Sequence, residues 1–121
     1  MGELRVAMYC RVASAAQAEM NMQEKLLREY AVKNHFRNPR FYGDNGYSGL
    51  RMEERPGFRQ LCDDIAAGRV DTVMVKDISR IGRRFQDVMF WLDGLEKLGV
   101  SLVAVNGPML GCRAVENDFL D

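Results

Sequence analysis

Residues 71–84 read DTVMVKDISRIGRR, an apolar run rich in strand-forming residues that passes directly into a basic segment. A short apolar run with polar residues on both sides is typical of a buried β-strand. We therefore predict a central strand at Asp71 to Asp77, followed by a basic loop at Ile78 to Arg84. In an open α/β sheet, a loop that follows a central strand lies at the edge where ligands usually bind.

Strand and helix patterns alternate along the rest of the chain. Further strands are predicted at Leu4 to Cys10, Arg40 to Gly43 and Val100 to Asn106. Helices are predicted at Gln17 to Lys33, from Arg55-Pro56-Gly57-Phe58 to Gly68, and through Val88 to Leu98. This alternation predicts an α/β fold in three layers, with a central, mainly parallel sheet of four or five strands and helices on both faces.

The composition is that of a folded globular domain. The 121 residues suit one domain, and 47% hydrophobic residues are too many for a disordered chain. No apolar run reaches the roughly 18 residues that span a bilayer, and the first residues lack a signal-peptide core. We therefore expect a cytoplasmic protein with no membrane partner. The net charge of zero argues against nucleic-acid binding through bulk electrostatics, so any phosphate contact must be local.

Cysteine and histidine are too few and too scattered to predict a metal site. Cys10, Cys62 and Cys112 are an odd number at long spacings, which indicates reduced, structural thiols. His35, the only histidine, lies near a predicted helix end and is expected at the surface. Tyr9 is expected in the core, although it could also pack beside a site at the strand end. We expect no metal and no other cofactor.

Three predicted loops meet at the carboxyl edge of the sheet: Arg11 to Gln17, Asp44 to Arg55 and Ser79 to Arg84. They and their surroundings contain the arginines Arg11, Arg55, Arg80 and Arg83, together with Ser14, Gln17, Gln23, Asp44 and Ser48. Guanidinium groups donate paired hydrogen bonds and keep their charge, so such a cluster suits a phosphate and can stabilise phosphoryl transfer without a metal. The alternative is a solvated rim of arginines. The position of Arg80 and Arg83 directly after a buried strand favours the phosphate site.

The same loops resemble the sequence blocks of the serine site-specific recombinases, the resolvase/invertase family. Tyr9-Cys10-Arg11-Val12-Ala13-Ser14-Ala15-Ala16-Gln17 is similar to the signature tyrosine, any residue, arginine, valine, serine, threonine, two variable residues, glutamine. Asp44-Asn45-Gly46-Tyr47-Ser48-Gly49, then Arg55-Pro56-Gly57-Phe58, resembles the second block, and Val75 to Arg83 resembles the third. The third block has the form found in the large serine recombinases of mobile elements. Three blocks in order, over residues 4 to 106, are more specific than any one of them.

The resemblance implies a resolvase-type catalytic domain at residues 1–106 and a tail at 107–121 that leads towards a long helix and DNA-binding domains. It implies DNA as the substrate, cleavage through a phosphoserine, dimers and tetramers of the full-length protein, and no small-molecule cofactor. The family's active-site arginines fall on Arg11, Arg55, Arg80 and Arg83. Supporting positions fall on Gln17, Gln23 and Asp44, with Ser48 and Ser79 beside them. We expect this domain alone to bind DNA weakly and to associate loosely at most.

Two positions depart from the family pattern. The nucleophilic serine falls on Ala13, which has no oxygen, so the domain as written is expected to be inactive or nearly so. Ser14 could replace it, but a shift of one residue near a strand end turns a side chain to the other face, and a loop hydroxyl or helix cap is the simpler interpretation. Ser79 stands where many small resolvases have aspartate, which leaves the general acid open. Asp77 could take that role, although pairing with Lys76 or an arginine explains it better.

Other functions on this fold fit the sequence less well. A cysteine phosphatase built on Cys10 would need an arginine where Ala16 stands. A receiver would need an acidic pair near the first strand, and dinucleotide binding would need a glycine fingerprint after it, and the sequence has neither. The remaining alternative is a non-catalytic recombinase relative that assembles with DNA or with other protomers.

Overall fold

The structure is a computed structural model that describes residues 5–12, 17–46, 54–82 and 84–106. Its strands are β1 (Val6–Val12), β2 (Arg40–Asn45), β3 (Thr72–Val75) and β4 (Ser101–Ala104). Its helices are α1 (Gln17–Lys33), α2 (Pro56–Ala66) and α3 (Phe85–Lys97), and a 3-10 turn (Ile78–Arg80) follows β3. The predicted alternation of strands and helices is confirmed.

The four strands form one parallel sheet in the order β2-β1-β3-β4. The first strand therefore lies inside the sheet, where β2 pairs with it along one side and β3 along the other. Helix α1 packs on one face, and α2 and α3 pack on the opposite face. The three-layer α/β fold is confirmed, with four strands in the described part of the chain.

Several strand boundaries differ from the predictions. β1 continues to Val12, so Arg11 lies in a strand rather than in a loop, because β2 extends equally far and pairs with it. β3 ends at Val75 instead of Asp77, and Asp77 begins the 3-10 turn. β4 is also shorter than predicted at both ends. As a result β1 extends beyond β3 at the carboxyl edge of the sheet, since Val75 pairs with Tyr9.

The side chains of the sheet alternate between two separate cores, as the pleat of a strand requires. Met8 and Cys10 of β1 pack with α1, whereas Ala7 and Tyr9 pack with α2 and α3. The second core also contains Phe58, Leu61 and Ile65 of α2 and Val88, Leu92 and Leu95 of α3. Arg11 follows Tyr9 by two residues, so its side chain leaves β1 on the face covered by α2 and α3.

The first turn of α2 is fixed against the end of β2 by a carboxylate. Pro56 occupies the first helical position, where a missing N–H costs nothing. The next two backbone amides, of Gly57 and Phe58, donate to the Asp44 carboxylate at 2.7 and 2.9 Å. Gly57 permits this approach, because a Cβ atom there would collide with the Gly43 carbonyl group, 2.9 Å from its carbon. A residue of β2 therefore caps a helix that begins 12 positions later, between Asp44 and Pro56.

Candidate active site

Arg11 holds the loop that follows β3. Its side chain leaves the carboxyl end of β1, and only 6% of the residue is exposed. Nε donates to the Arg80 carbonyl at 3.1 Å, and Nη2 donates to the Ser79 carbonyl at 2.6 Å. The guanidinium group therefore binds two consecutive backbone carbonyls, which are the kind of acceptor that its fork geometry suits.

Gln23 of α1 completes the hydrogen bonding of the same strand end. The Val12 carbonyl accepts from the Gly46 amide on the β2 side, so the backbone of Arg11 faces the side where β3 has already ended. The side-chain amide of Gln23 replaces the missing strand: Oε1 accepts from Arg11 N at 3.2 Å, and Nε2 donates to Arg11 O at 2.8 Å. Gln23 is buried, and its side-chain amide pairs with both the amide and the carbonyl of Arg11 inside the protein.

Arg55 reaches the same loop from the start of α2. It is the largest fully buried side chain, with 2% of the residue exposed, among the parts of the chain that the structure describes. Nη1 donates to the Arg80 carbonyl at 3.1 Å, and Nη2 donates to the Ile81 carbonyl. The guanidinium carbon lies 5.0 Å from the centre of the Phe58 ring, which is close enough for a cation–π contact.

Tyr9 joins Arg55 to Asp44 inside the second core. Its hydroxyl donates to Asp44 Oδ2 at 2.6 Å and accepts from Arg55 Nη1 at 3.2 Å. Burial, and then the hydrogen bond to Asp44, raise the pKa of Tyr9 far above its ordinary value, so the hydroxyl stays protonated and remains a donor. The buried positive charge of Arg55 is therefore linked through one hydroxyl to the buried carboxylate.

The loop itself presents Arg80 and Ser79. Arg80 Nη1 donates to the Arg11 carbonyl at 3.2 Å, and its side chain keeps 17% of its surface exposed. The Asp77 carboxylate accepts from the Ser79 amide at 3.0 Å and from the Ser79 hydroxyl, and lies 3.8 Å from Arg80 Nε. Asp77 thus caps the 3-10 turn and pairs with an arginine, which is the structural role that the sequence favoured for it.

The structure brings six of the predicted site residues together, and they are Arg11, Gln23, Asp44, Arg55, Ser79 and Arg80. Gln17 is not among them, because it is exposed at the start of α1 and donates to Asn21 at 2.9 Å. The predicted residues Ala13, Ser14, Ser48 and Arg83 lie outside the described residues, as does the predicted tail at 107–121. Val12, which precedes Ala13 in the chain, ends β1 beside this cluster.

Sequence reasoning missed two features of the cluster. Arg11 and Arg55 were expected to point from loops into a phosphate pocket, but both are buried and donate to backbone carbonyls of the chain itself. Tyr9 was expected in the core, with a place beside the site as the alternative; its ring is in the core, but the hydrogen bonds of its hydroxyl to Arg55 and Asp44 were not foreseen. The signal for Tyr9 was its position two residues before Arg11, which puts both side chains on one face of β1.

The two thiols in the described part of the chain, one buried and one half-buried, do not offer a nucleophile. Burial raises the pKa of Cys10 to about 12, and it also raises the pKa of Cys62. A thiol is a nucleophile as its thiolate, so neither cysteine is activated at neutral pH. Within residues 5–12, 17–46, 54–82 and 84–106, no cluster of histidine, cysteine and acidic residues could hold a metal ion. The helices of these segments are too short or too polar to cross a membrane.

Comparison with known families identifies the class of protein. Residues 6–118 match the family model described as Resolvase, N terminal domain, and the chain therefore belongs to that family. Solved structures that it resembles include a catalytic domain of an integrase, a resolvase family site-specific recombinase and a serine recombinase, which confirms the resemblance found in the loops and the resolvase-like fold. A search of the curated proteins finds no match.

Three solved structures illustrate the likeness. The N-terminal catalytic domain of TP901-1 integrase is 30% identical with a TM-score of 0.77, over 84% of this chain and 78% of that one. A resolvase family site-specific recombinase from Streptococcus pneumoniae is 30% identical with a TM-score of 0.72, over 85% and 72%. A serine recombinase from Sulfolobus solfataricus is 27% identical with a TM-score of 0.73, over 95% and 77%.

Proposed function

We propose that this chain is a recombinase catalytic domain that binds a DNA phosphodiester at the carboxyl edge of its sheet, and that Ala13 leaves it inactive or nearly so. The observation that carries the proposal is the meeting of Arg11, Arg55 and Arg80 on one loop, next to the strand end that leads to position 13. Family membership supports DNA as the substrate.

The three arginines have different roles in this proposal. Arg80 is partly exposed and is the described arginine best placed to face a phosphate, with Arg83 expected to act beside it. Arg11 and Arg55 are buried and support the loop from below through its carbonyl groups. Fixed positive charge at the site stabilises the charge of a phosphoryl-transfer transition state without reorganisation.

The reaction needs an oxygen nucleophile that Ala13 lacks. In the reaction that the family implies, a serine Oγ–P bond forms, the bond from phosphorus to the 3′ oxygen breaks, and the serine proton ends on that oxygen. In subtilisin, loss of the serine nucleophile lowers kcat on the order of a millionfold. Arginine-rich surroundings cannot compensate for this loss, because they lower the barrier only for an attack that takes place.

Restoring the serine tests the proposal most directly. A DNA duplex that the unchanged protein retains in a gel-shift assay serves as the substrate. Ala13→Ser is expected to produce cleavage and a protein–DNA adduct that survives SDS, whereas the unchanged protein produces neither within hours. The assay measures the fraction of labelled DNA in the adduct against time.

Ser14→Ala is the matched control for this experiment. If Ser14 were the nucleophile, the unchanged protein would already form the adduct and Ser14→Ala would abolish it. If Ala13→Ser binds the duplex normally and forms no adduct, the catalytic proposal is wrong.

A non-catalytic assembly subunit is the second candidate. Ala13 favours it, and so does the use of two buried arginines to hold the protein's own backbone. Such a subunit would still contact DNA in the cytoplasm. It would also join dimers or tetramers of the full-length protein. With zero net charge, this domain is expected to bind DNA weakly.

A further inference from the structure

We propose that Tyr9 is a positioning residue of the site: its hydroxyl holds the Arg55 guanidinium where that group can fix the loop after β3. Its consequence for DNA cleavage rests on the function proposed above, but its consequence for the loop does not. Tyr9 is fully buried in β1, which is paired on both sides at this position.

The hydroxyl of Tyr9 has a fixed orientation because it acts both as a hydrogen-bond donor and as a hydrogen-bond acceptor. It donates its proton to Asp44 Oδ2 at 2.6 Å, which turns its oxygen lone pairs towards Arg55 Nη1 at 3.2 Å. Asp44 is itself held by the amides of Gly57 and Phe58. Strand β1, strand β2 and helix α2 therefore determine together where the Arg55 side chain lies.

The position of the Arg55 side chain in turn affects the position of the loop after β3, to which it donates hydrogen bonds. Of the hydrogen-bond acceptors described for Arg55, the Tyr9 oxygen is the one on a side chain, and the other two are the carbonyls of Arg80 and Ile81. When the Tyr9 hydroxyl is removed, Arg55 Nη1 loses one of its two acceptors in a buried setting. The guanidinium group then shifts to regain a partner, and the Arg80 backbone shifts with it.

Arg11 limits how far the loop after β3 can move when the Tyr9 hydroxyl is removed. It holds the carbonyls of Ser79 and Arg80 independently of Tyr9. The loop is therefore expected to loosen locally and not to detach. A small displacement of a group that contacts the reacting phosphate is enough to lower a rate by roughly tenfold to a hundredfold.

The variant Tyr9→Phe removes the hydroxyl and keeps the ring, so it tests the hydroxyl alone. The ring packs edge-on against Phe58, with centroids 5.4 Å apart, and phenylalanine keeps that contact. Tyr42→Phe is the matched control, since Tyr42 lies opposite Tyr9 on the neighbouring strand and its hydroxyl donates to buried Asp64 at the same distance of 2.6 Å. None of the hydrogen bonds described for Tyr42 reaches Arg55 or the loop.

Amide hydrogen exchange of the unchanged Ala13 protein decides the proposal. The amides of Arg80 and Ile81 donate within the turn, to the carbonyls of Asp77 and Ile78, and report on its closure. Tyr9→Phe is expected to speed exchange at these two amides about tenfold relative to Tyr42→Phe, beyond any difference in exchange that the urea midpoints of the two variants account for. Equal exchange at Arg80 and Ile81 in the two variants would overturn the proposal.

Cleavage provides the second measurement, in the Ala13→Ser background. Tyr9→Phe is expected to lower the rate of adduct formation at least tenfold, with DNA affinity unchanged, while Tyr42→Phe leaves the rate within twofold. Equal rates in the two variants would overturn the positioning role. If Ala13→Ser itself forms no adduct, the proposed function fails, and hydrogen exchange still decides whether Tyr9 positions Arg55.

Discussion

Two tyrosine–carboxylate pairs lie side by side on one face of the sheet, and they differ in what encloses them. Tyr9 donates to Asp44 and Tyr42 donates to Asp64, each at 2.6 Å, and the two tyrosines are register partners on β1 and β2. The Asp44 carboxylate is enclosed by backbone amides and lies next to the buried Arg55 network. The neighbouring buried groups, and not the tyrosine–carboxylate pair itself, therefore determine which tyrosine belongs to the site.

The Asp64 carboxylate is also buried, but its charged partners lie at the surface. Asp64 lies 3.2 Å from Arg69 and 3.6 Å from Arg40, and both arginine side chains are mostly exposed. Ion pairs with such exposed arginines contribute little, because water screens the arginine charge and the long side chains lose entropy when they are held. The hydrogen bond from Tyr42 is therefore the main contact that keeps Asp64 in place, and its effect is to attach the edge strand β2 to α2.

The largest difference between the two pairs is expected when each carboxylate is removed. Asp44→Ala leaves the Tyr9 hydroxyl and two helix amides without an acceptor and leaves Arg55 without its linked counter-charge. We expect a loss of about 3–5 kcal/mol in the free energy of unfolding. Asp64→Ala should cost about 1–2 kcal/mol, because exposed arginines can return to water.

Urea unfolding of the two variants measures this difference. A circular dichroism signal at the helix band gives both midpoints under the same conditions. Equal losses for Asp44→Ala and Asp64→Ala would contradict the claim that the buried surroundings of Asp44 make its contacts stronger.

A smaller loss of stability is expected from a change at Gly57, because Gly57 takes part in the Asp44 cap of α2 and in no other contact of this pair. Gly57→Ala places a Cβ atom against the Gly43 carbonyl and next to Asp44 Oδ1, at 3.1 Å, so the start of α2 must move away from β2. The free energy of unfolding should fall by about 1–3 kcal/mol. Thermal unfolding midpoints provide the measurement.

Gly94→Ala is the control for that change. Gly94 also lies in a helix, α3, but a Cβ atom there meets nothing within 4 Å. Alanine should raise stability there by roughly 0.5–1 kcal/mol through helix propensity. A destabilisation at Gly94 as large as that at Gly57 would show that the close contact with Gly43 is not the cause.

The smallest expected effect is the pH dependence of stability that comes from the Tyr42–Asp64 pair. The hydrogen bond from Tyr42 is the main cause that holds the pKa of Asp64 below its usual range. A carboxyl group whose pKa is lower in the folded state stabilises the fold above its unfolded pKa, about 3.9, and this contribution is lost as pH falls through the folded value. The advantage of the unchanged protein over Asp64→Asn should therefore be full at pH 7 and shrink progressively below about pH 4.

Urea midpoints at pH 7, 4 and 3 measure this advantage. Asp63→Asn is the control, because Asp63 is the preceding residue of α2 and its side chain is exposed. An advantage over Asp64→Asn that stays constant with pH, or an equal pH dependence in Asp63→Asn, would contradict the role given to the Tyr42 hydrogen bond.

The strand and helix pattern could be predicted because it depends on local periodicity. Apolar residues at Val73 and Met74 identified β3, and Pro56 identified the start of α2. The strand ends could not be predicted, since Val12 is extended only because Asn45 of β2 pairs with it. Pairing between the strands joins residues 29 or more positions apart, which no local pattern contains.

The meeting of Arg11, Arg55 and Arg80 at one loop was predictable, but the contacts that these arginines make were not. The loop positions of Arg55 and Arg80, after predicted strands, indicated one edge of the sheet. The acceptors were not predictable, because backbone carbonyls at Ser79 and Ile81 carry no signal in the residue types. Burial of a guanidinium group follows from how α2 packs against β1, which is a property of the assembled core.

The amino-acid sequence alone determined the alternating α/β architecture, the family blocks and the alanine at position 13, because each is expressed in residue type and spacing. Tertiary structure alone decided that Tyr9 connects Asp44 to Arg55 and that Arg11 and Arg55 bind the chain's own carbonyls. The physical reason is that hydrogen bonds inside a core depend on distances of about 3 Å between groups far apart in the chain, and those distances exist only after the sheet and helices have packed.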